Sequence, residues 1–267
     1  MSPTRDAPVK LRLEAGIAHV TLDRPAKRNA LDRATITAMI EHLQHIADDP
    51  AVRVVQITGA GTVFCAGADL AEMQAQIHAS EADNRANAEH LASLLTLLDS
   101  LPKPTLARVN GDGYGGALGL IGACDIAVVA ADAKFAFTEV RLGIVPAVIS
   151  PFVLPKMGES AARRYFLTAE TLTAAQLKEL GLAHEVVPSD SLDATCMSIA
   201  EAIAKGAPQA LAEAKSLIRD VVRASAADRG GASAAMAARL ARLRVQAEAQ
   251  EGFSAFFAKR AASWRRS

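Results

Sequence analysis

Cysteine is nearly missing from this chain: Cys65, Cys124 and Cys196 are the only three in 267 residues. They are widely spaced and form no C-x-x-C pair. That argues against a disulfide framework or a cysteine zinc site, and it fits a reducing compartment. Net charge is missing too, because 29 basic residues balance 29 acidic ones. A balanced surface gives no electrostatic reason to expect nucleic acid or an anionic membrane as partner. Long apolar runs are also lacking, since Gly, Pro or a charge interrupts each before it could span a bilayer. The opening MSPTRDAPVK has no apolar h-region, so no signal peptide is expected and a cytoplasmic protein is the default. His19, His42, His45, His78, His90 and His184 show no ligand spacing, and no metal is expected.

What the chain does have is apolar content, at 51% hydrophobic residues. That suffices for one sizeable core, alone or with a helical appendage. Val9–Leu13 and Ile17–Leu22 read as strands joined at Glu14–Gly16. Asp32 can cap a helix to about Asp48, with Ile36, Met39, Ile40, Leu43 and Ile46 at helical spacing. Val52–Thr58 is a β-branched strand, 59–69 a loop of small residues, and 84–100 a polar helix. The pattern then recurs: a strand at Thr105–Val109, a glycine-rich turn at 110–116, a helix to about Gly122, and strands at Asp125–Ala130 and Lys134–Ala136. Such repetition predicts a buried, mostly parallel α/β core of successive β-β-α units. After residue 148 the chain reads as helices, at 148–157, 159–167, 173–180, 191–204, 208–226 and from 230 onward. Ala183–Val187 is the exception.

Three segments can carry chemistry. In Thr58–Met73, TGAGTVFCAGADLAEM, a strand ends, small residues follow, and a helix starts near Asp69. The first N–H groups of a helix lack internal partners and lie at its positive end. With Asp69 as cap, the N–H of Ala68 is free to face a cavity. The same residues also suit a tight strand-to-helix turn. In Val109–Asp125, VNGDGYGGALGLIGACD, the device repeats, and Gly116 can present a second N–H. Two such donors converging on one oxygen suit a reaction that builds negative charge on a carbonyl. Gly111, Gly113 and Gly116 also spell G-x-G-x-x-G, with Asp132 beyond the next strand, which is formally a dinucleotide fingerprint. The helix between those strands is short for that role. In Phe137–Pro155, FTEVRLGIVPAVISPFVLP, Glu139 sits among Val140, Leu142, Ile144 and Val145. Burial there would raise its pKa, as a general acid/base needs; capping a helix or pairing with Arg141 is the other reading.

Taken together, VTLDRPAKRNAL, FCAGADLAEM, KPTLARVNGDGYGG, CDIAVVA, FTEVRLGIVP and the closing EGFSAFFAKR resemble the crotonase (enoyl-CoA hydratase/isomerase) superfamily over nearly the whole chain. The resemblance implies an α/β fold with a crotonase-type β-β-α spiral core and a C-terminal helical region. The core would span 1–195, with the thioester site, and a helical trimerisation region 196–267. It implies an acyl-CoA substrate, no separate cofactor, and a homotrimer or a hexamer built as a dimer of trimers. The thioester oxygen would rest on the N–H groups of Ala68 and Gly116. Segment 24–30, including Ala30, together with Ala66, Asp69 and Leu70 would border the CoA pocket, Lys27 and Arg28 would meet its phosphates, and Phe256 and Lys259 would help from the C-terminal helix. Acyl-pocket candidates are Met73, Ile77, Leu94, Leu98, Tyr114 and Phe137, each of which suits the core equally.

One departure stands out. Hydratases of this family generally place two glutamates around one water; one resembles Glu139, but the other position holds Gly119. Asp112 is near in sequence without occupying that position. The expected activity is syn hydration of a 2-enoyl-CoA. YGGALGLIGACD, TEVRLGIVPAVISPFV and ARRYFLTAE resemble the branch that hydrates methylglutaconyl-CoA and related substrates in leucine breakdown, with Arg141 then a partner for a substrate carboxylate. The alternatives are a Δ3-Δ2-enoyl-CoA isomerase with Glu139 as sole base, and a non-catalytic acyl-CoA-binding protein on the same scaffold.

Overall fold

The computed structural model describes residues 7–223 and 229–265. Residues 224–226 of the helix expected at 208–226 lie outside them. Two sheets share the work. The larger holds β1 (Val9–Glu14), β2 (Ile17–Leu22), β3 (Val54–Gly59), β5 (Thr105–Val109), β7 (Ile126–Ala130) and β10 (Glu185–Val187), in that spatial order. The smaller holds β4 (Val63–Cys65), β6 (Asp112–Tyr114), β8 (Lys134–Ala136) and β9 (Leu172–Thr173). The β1–β2 and β8–β9 pairs are antiparallel and the other pairs are parallel.

Each repeat therefore sends its first strand to the large sheet and its second to the small one: β3 then β4, β5 then β6, β7 then β8. The sequence pattern missed β4, β6 and β9 because runs of two or three residues carry no readable alternation. Their pairing is long-range, and only the assembled sheet decides it.

Helix α1 (Arg33–Asp48) is capped by Asp32, whose side chain accepts the Thr35 N–H at 2.8 Å. It buries Ile36, Met39, Leu43 and Ile46, the stripe its spacing predicts. α2 (Leu70–Gln76) follows β4. The polar helix expected at 84–100 is α3 (Glu81–Ser100), lengthened by a capping box between Ser80 and Asp83. α4 (Gly116–Ala123) is buried from Ala117 onward. α5 (Ser150–Thr168) is broken at Gly158, whose φ of 77° is non-helical, so the two helices expected at 148–157 and 159–167 are indeed separate. α6 (Ala174–Glu179), α7 (Leu192–Ala204), α8 (Pro208–Arg223), α9 (Arg229–Arg244) and α10 (Ala247–Phe257) complete the chain. Residue 195 lies within α7, which packs Leu192, Cys196 and Ala200 on Val54, Leu106 and Val128 of the large sheet. The three cysteines are buried and unpaired.

Candidate active site

The register of the small sheet assembles the site. Cys65 pairs with Gly113, and Tyr114 with Ala136, across parallel β4, β6 and β8. Because the strands run the same way, the chain leaves all three at one edge. A few residues further on come Ala68, Gly116 and Glu139. The three groups named from separate segments border one cavity of about 240 Å³. A larger hollow, about 1160 Å³, lies among the C-terminal helices beside Arg53 and holds none of them.

Neither Ala68 nor Gly116 gives its N–H to a protein acceptor among the described residues. The loops that carry them touch. A Cβ on Gly67 would lie 2.6 Å from the Tyr114 carbonyl oxygen and 3.6 Å from the Gly116 nitrogen, and its φ is +85°. Glycine is therefore needed at 67 both for conformation and for close approach. Ala68 is held in place by an isolated bridge to Leu31, in which Leu31 N–H donates to Gly67 (2.7 Å) and Asp69 N–H donates to the Leu31 carbonyl (3.2 Å).

Polar clamps fix this arrangement. Asp69, nearly buried, caps α2 through Ala71 N–H at 2.9 Å and meets Arg24 at 3.0 Å. Burial pushes its carboxyl up, but those hydrogen bonds outweigh it and hold the group below its ordinary value. Arg24 also pairs with Asp32 and donates to the Ala30 carbonyl. Buried Asn29 donates to the Ala60 and Val63 carbonyls and accepts from Arg24 N–H. Arg24 and Asn29 belong to the 24–30 segment expected at the CoA pocket, but their clamping role was not legible, since a polar loop residue gives no sign of its distant partners.

Glu139 opens a short 3-10 helix, Glu139–Leu142. Its Oε1 lies 3.2 Å from where a Cβ on Gly115 would sit, so that glycine leaves room for the carboxylate. Its Oε2 is buried with no hydrogen-bond partner. Desolvation raises its pKa, only partly opposed by its own backbone N–H. The alternative pairing with Arg141 is corrected: the Arg141 guanidinium donates to the Ala169 carbonyl at 2.8 Å, closing the end of α5, and Arg141 does not border the cavity. Its proposed hold on a substrate carboxylate falls with it.

Gly119 is more than a missing side chain. A Cβ there would lie 2.5 Å from Ile149 Cγ2 and 3.0 Å from Leu95 Cδ1. Apolar groups occupy the space a second glutamate would need. Asp112 does not replace it: its carboxylate accepts from Lys134 N–H and the Tyr114 hydroxyl, away from the cavity. The dinucleotide reading is also corrected. Gly111 packs against the Thr62 carbonyl, and a Cβ on Gly113 would press on Phe135 and Ala117. These two glycines serve the close approach of neighbouring strands.

The remaining expected residues fall as follows. Ala66 donates its N–H to the Arg28 carbonyl, and Ala30 is buried beneath the same loop. Lys27 and Arg28 are exposed at the loop, with Arg28 lying over the Tyr114 ring. Leu70 is 81% exposed. Phe256 lies at the end of α10 and Lys259 just past it, and Phe256 borders an apolar hollow distinct from the cavity that holds Ala68, Gly116 and Glu139. Of the acyl-pocket candidates, Met73 borders the cavity; Leu94, Leu98 and Phe137 are core, Ile77 is exposed, and Tyr114 pairs with Asp112.

Two backbone donors and one desolvated carboxylate around a small cavity are an arrangement able to hold an oxyanion while a proton moves beside it. Comparison with known proteins gives the family. Residues 12–267 match the family described as Enoyl-CoA hydratase/isomerase, and the chain belongs to it. The crystal structure of an enoyl-CoA hydratase from Shewanella pealeana superposes with a TM-score of 0.93 at 39% identity, covering 96% of each chain. The mevalonyl-coenzyme A hydratase of Aspergillus fumigatus is 35% identical over 92% of this chain and 90% of its own. An enoyl-CoA isomerase/hydratase of Mycosarcoma maydis is 35% identical over 76% of this chain and 77% of its own. The fold is that of the crotonase superfamily.

Proposed function

We propose that the protein is an enoyl-CoA hydratase that works with Glu139 as its single acid/base. The observation that carries this reading is the half-buried Glu139 carboxylate, its Oε2 without a hydrogen-bond partner, sharing one small cavity with the free N–H groups of Ala68 and Gly116. The ionised carboxylate takes a proton from water as the water oxygen bonds to C3 of the 2-enoyl thioester. The C2=C3 electron pair moves toward the thioester oxygen, where the two N–H groups receive the charge. The enolate then collapses, and Glu139 returns the same proton to C2 on the same face. Water is added, and the carboxylate is restored without a separate cofactor. Coenzyme A arrives as part of the substrate, with its phosphates toward exposed Lys27 and Arg28 and its pantetheine along Ala66, Asp69 and Leu70.

Isomerisation is the second reading, favoured by the apolar wall of Ile149 and Leu95 where a second water-holding carboxylate would stand. Glu139 would take the C2 proton of a 3-enoyl thioester and return it to C4 through a dienolate. Crotonyl-CoA, 3-methylglutaconyl-CoA and a 3-enoyl-CoA, assayed separately, decide the matter. Hydration of a 2-enoyl ester supports the first reading, and turnover of the 3-enoyl ester alone overturns it. Tight binding of all three without turnover would identify a non-catalytic acyl-CoA-binding protein.

Exposed Phe253, Phe256 and Phe257 on α10 support assembly as a homotrimer or hexamer, through which Phe256 and Lys259 would reach coenzyme A in a neighbouring subunit. Light scattering after size exclusion tests this, and a monomer would overturn it.

A further inference from the structure

The cavity has one closed end and one open one. Leu91 of α3 lies against Gly116, since its Cδ2 is 3.9 Å from where a Cβ on Gly116 would sit. One turn further toward the C-terminus of α3, Leu95 meets Ile149 and closes the space at Gly119. An acyl chain held at the two N–H donors is therefore turned the other way, toward the N-terminal end of α3. On that face come Ala88 and Asn87, about 6 Å along the axis from Leu91, and then Asn84, about 10 Å along it. Gln76, at the end of α2, borders the same cavity.

The lining thus changes character along its length. Leu31 and Leu91 lie beside Gly116, Met73 and Val148 add to the apolar wall, and Asn84, Asn87 and Gln76 present three amides. Asn84 already donates to the carbonyls of Ala79 and Ser80, which leaves its oxygen as an acceptor. Asn87 and Gln76 are half-buried, and neither side chain hydrogen-bonds to a protein group among the described residues. Among the described residues, the charged ones on the cavity wall are Glu72 and Glu139, both acidic, and no Lys, Arg or His borders it. A carboxylate at the far end of an acyl group would meet acceptors and like charge with no cation.

We infer that the acyl pocket selects a short enoyl group whose far end carries an uncharged hydroxyl, held by Asn87 and Gln76. A hydroxyl both donates and accepts, as an amide pair requires, and brings no charge to the glutamates. An acyl chain ending in methyl would leave the amides facing hydrocarbon, which costs free energy. The cavity volume, about 240 Å³, suits a short chain. The inference rests on the enoyl-CoA reading for the placement of the thioester, but its test does not depend on turnover.

Binding of saturated esters to the full chain is measured by calorimetry: 5-hydroxypentanoyl-CoA, pentanoyl-CoA and glutaryl-CoA. The hydroxylated ester is expected to bind about tenfold tighter than pentanoyl-CoA, with glutaryl-CoA the weakest. Asn87→Leu and, separately, Gln76→Leu are each expected to erase that preference. Kinetics with 5-hydroxypent-2-enoyl-CoA and pent-2-enoyl-CoA should show the same order in kcat/KM. Equal or tighter binding of pentanoyl-CoA or glutaryl-CoA by the unaltered protein overturns the inference, and so does a preference that survives both substitutions. Selective binding of the hydroxylated ester with no turnover of either enoyl ester would overturn the proposed function while leaving the pocket assignment standing.

Discussion

In the proposed mechanism Glu139 is the acid/base, because it is partly desolvated and its Oε2 has no hydrogen-bond partner. Glu139→Gln should lower kcat by about 10²- to 10⁴-fold with a small change in KM, measured on whichever enoyl ester is turned over. In the unaltered enzyme, kcat/KM should fall as pH drops, with a midpoint above the ordinary 4.5, because burial raises the pKa and the base must be ionised. The same shift has a stability consequence. With the folded-state pKa above the unfolded one, ionised Glu139 penalises the folded state at neutral pH, and the penalty vanishes below the unfolded value. Glu139→Gln should therefore melt higher than the parent at pH 7, with the gain gone near pH 4. An equal gain at both pH values would contradict a buried ionised carboxylate. Gly119 makes the opposite case. Gly119→Glu should not create a better hydratase; overpacking against Ile149 should cost roughly 1–3 kcal/mol in denaturant unfolding. Adding Ile149→Ala should recover part of that loss.

At the level of elements, the site depends on how β4, β6 and β8 hand their chains to the segments that follow. Register alone brings Ala68, Gly116 and Glu139 to one edge. Backbone donors cannot be deleted by mutation, but their positions can be disturbed. Gly67→Ala places a Cβ 2.6 Å from the Tyr114 carbonyl oxygen at a φ of +85°, so the two loops must separate. Loss of one aligned donor costs about 10²–10³ in kcat. Gly67→Ala should approach that loss while the circular dichroism spectrum remains that of the parent. Near-parental kcat would show that the donors do not act together.

Across the whole molecule, the C-terminal helices are tied to the core by a few buried polar anchors. Lys215 of α8, only 9% exposed, pairs with Asp125 at 2.8 Å and donates to the carbonyls of Leu98 and Lys103. Arg53 reaches the carbonyls of Ala204, Gly206 and Trp264. Lys215→Ala strands Asp125 and two carbonyls. It should cost about 2 kcal/mol, less than for a fully buried pair because Asp125 is partly exposed and keeps its bonds from Thr105. Protease digestion should then release the segment beyond α7 before the core. Release of core and helices together would show that they unfold as one unit.

Sequence alone determined what depends on neighbours in the chain. The Asp32 cap and the α1 stripe set that helix. The apolar run at 105–109 set β5. The loops at 58–73 and 109–125 marked Ala68 and Gly116 as donors, because a free N–H at a helix start is a local property. Glu139 was legible as an acid in an apolar stretch, but its unpartnered state was not, since that depends on Arg141 turning instead to Ala169. Only the tertiary structure decided which remote groups share space. It paired the three-residue strands, filled the Gly119 site with Ile149, and sent Asp112 away from the cavity. It also set Asn84, Asn87 and Gln76 on the wall of the same cavity. Contacts of that kind are fixed by packing between segments dozens of residues apart, and no periodicity within one segment records them.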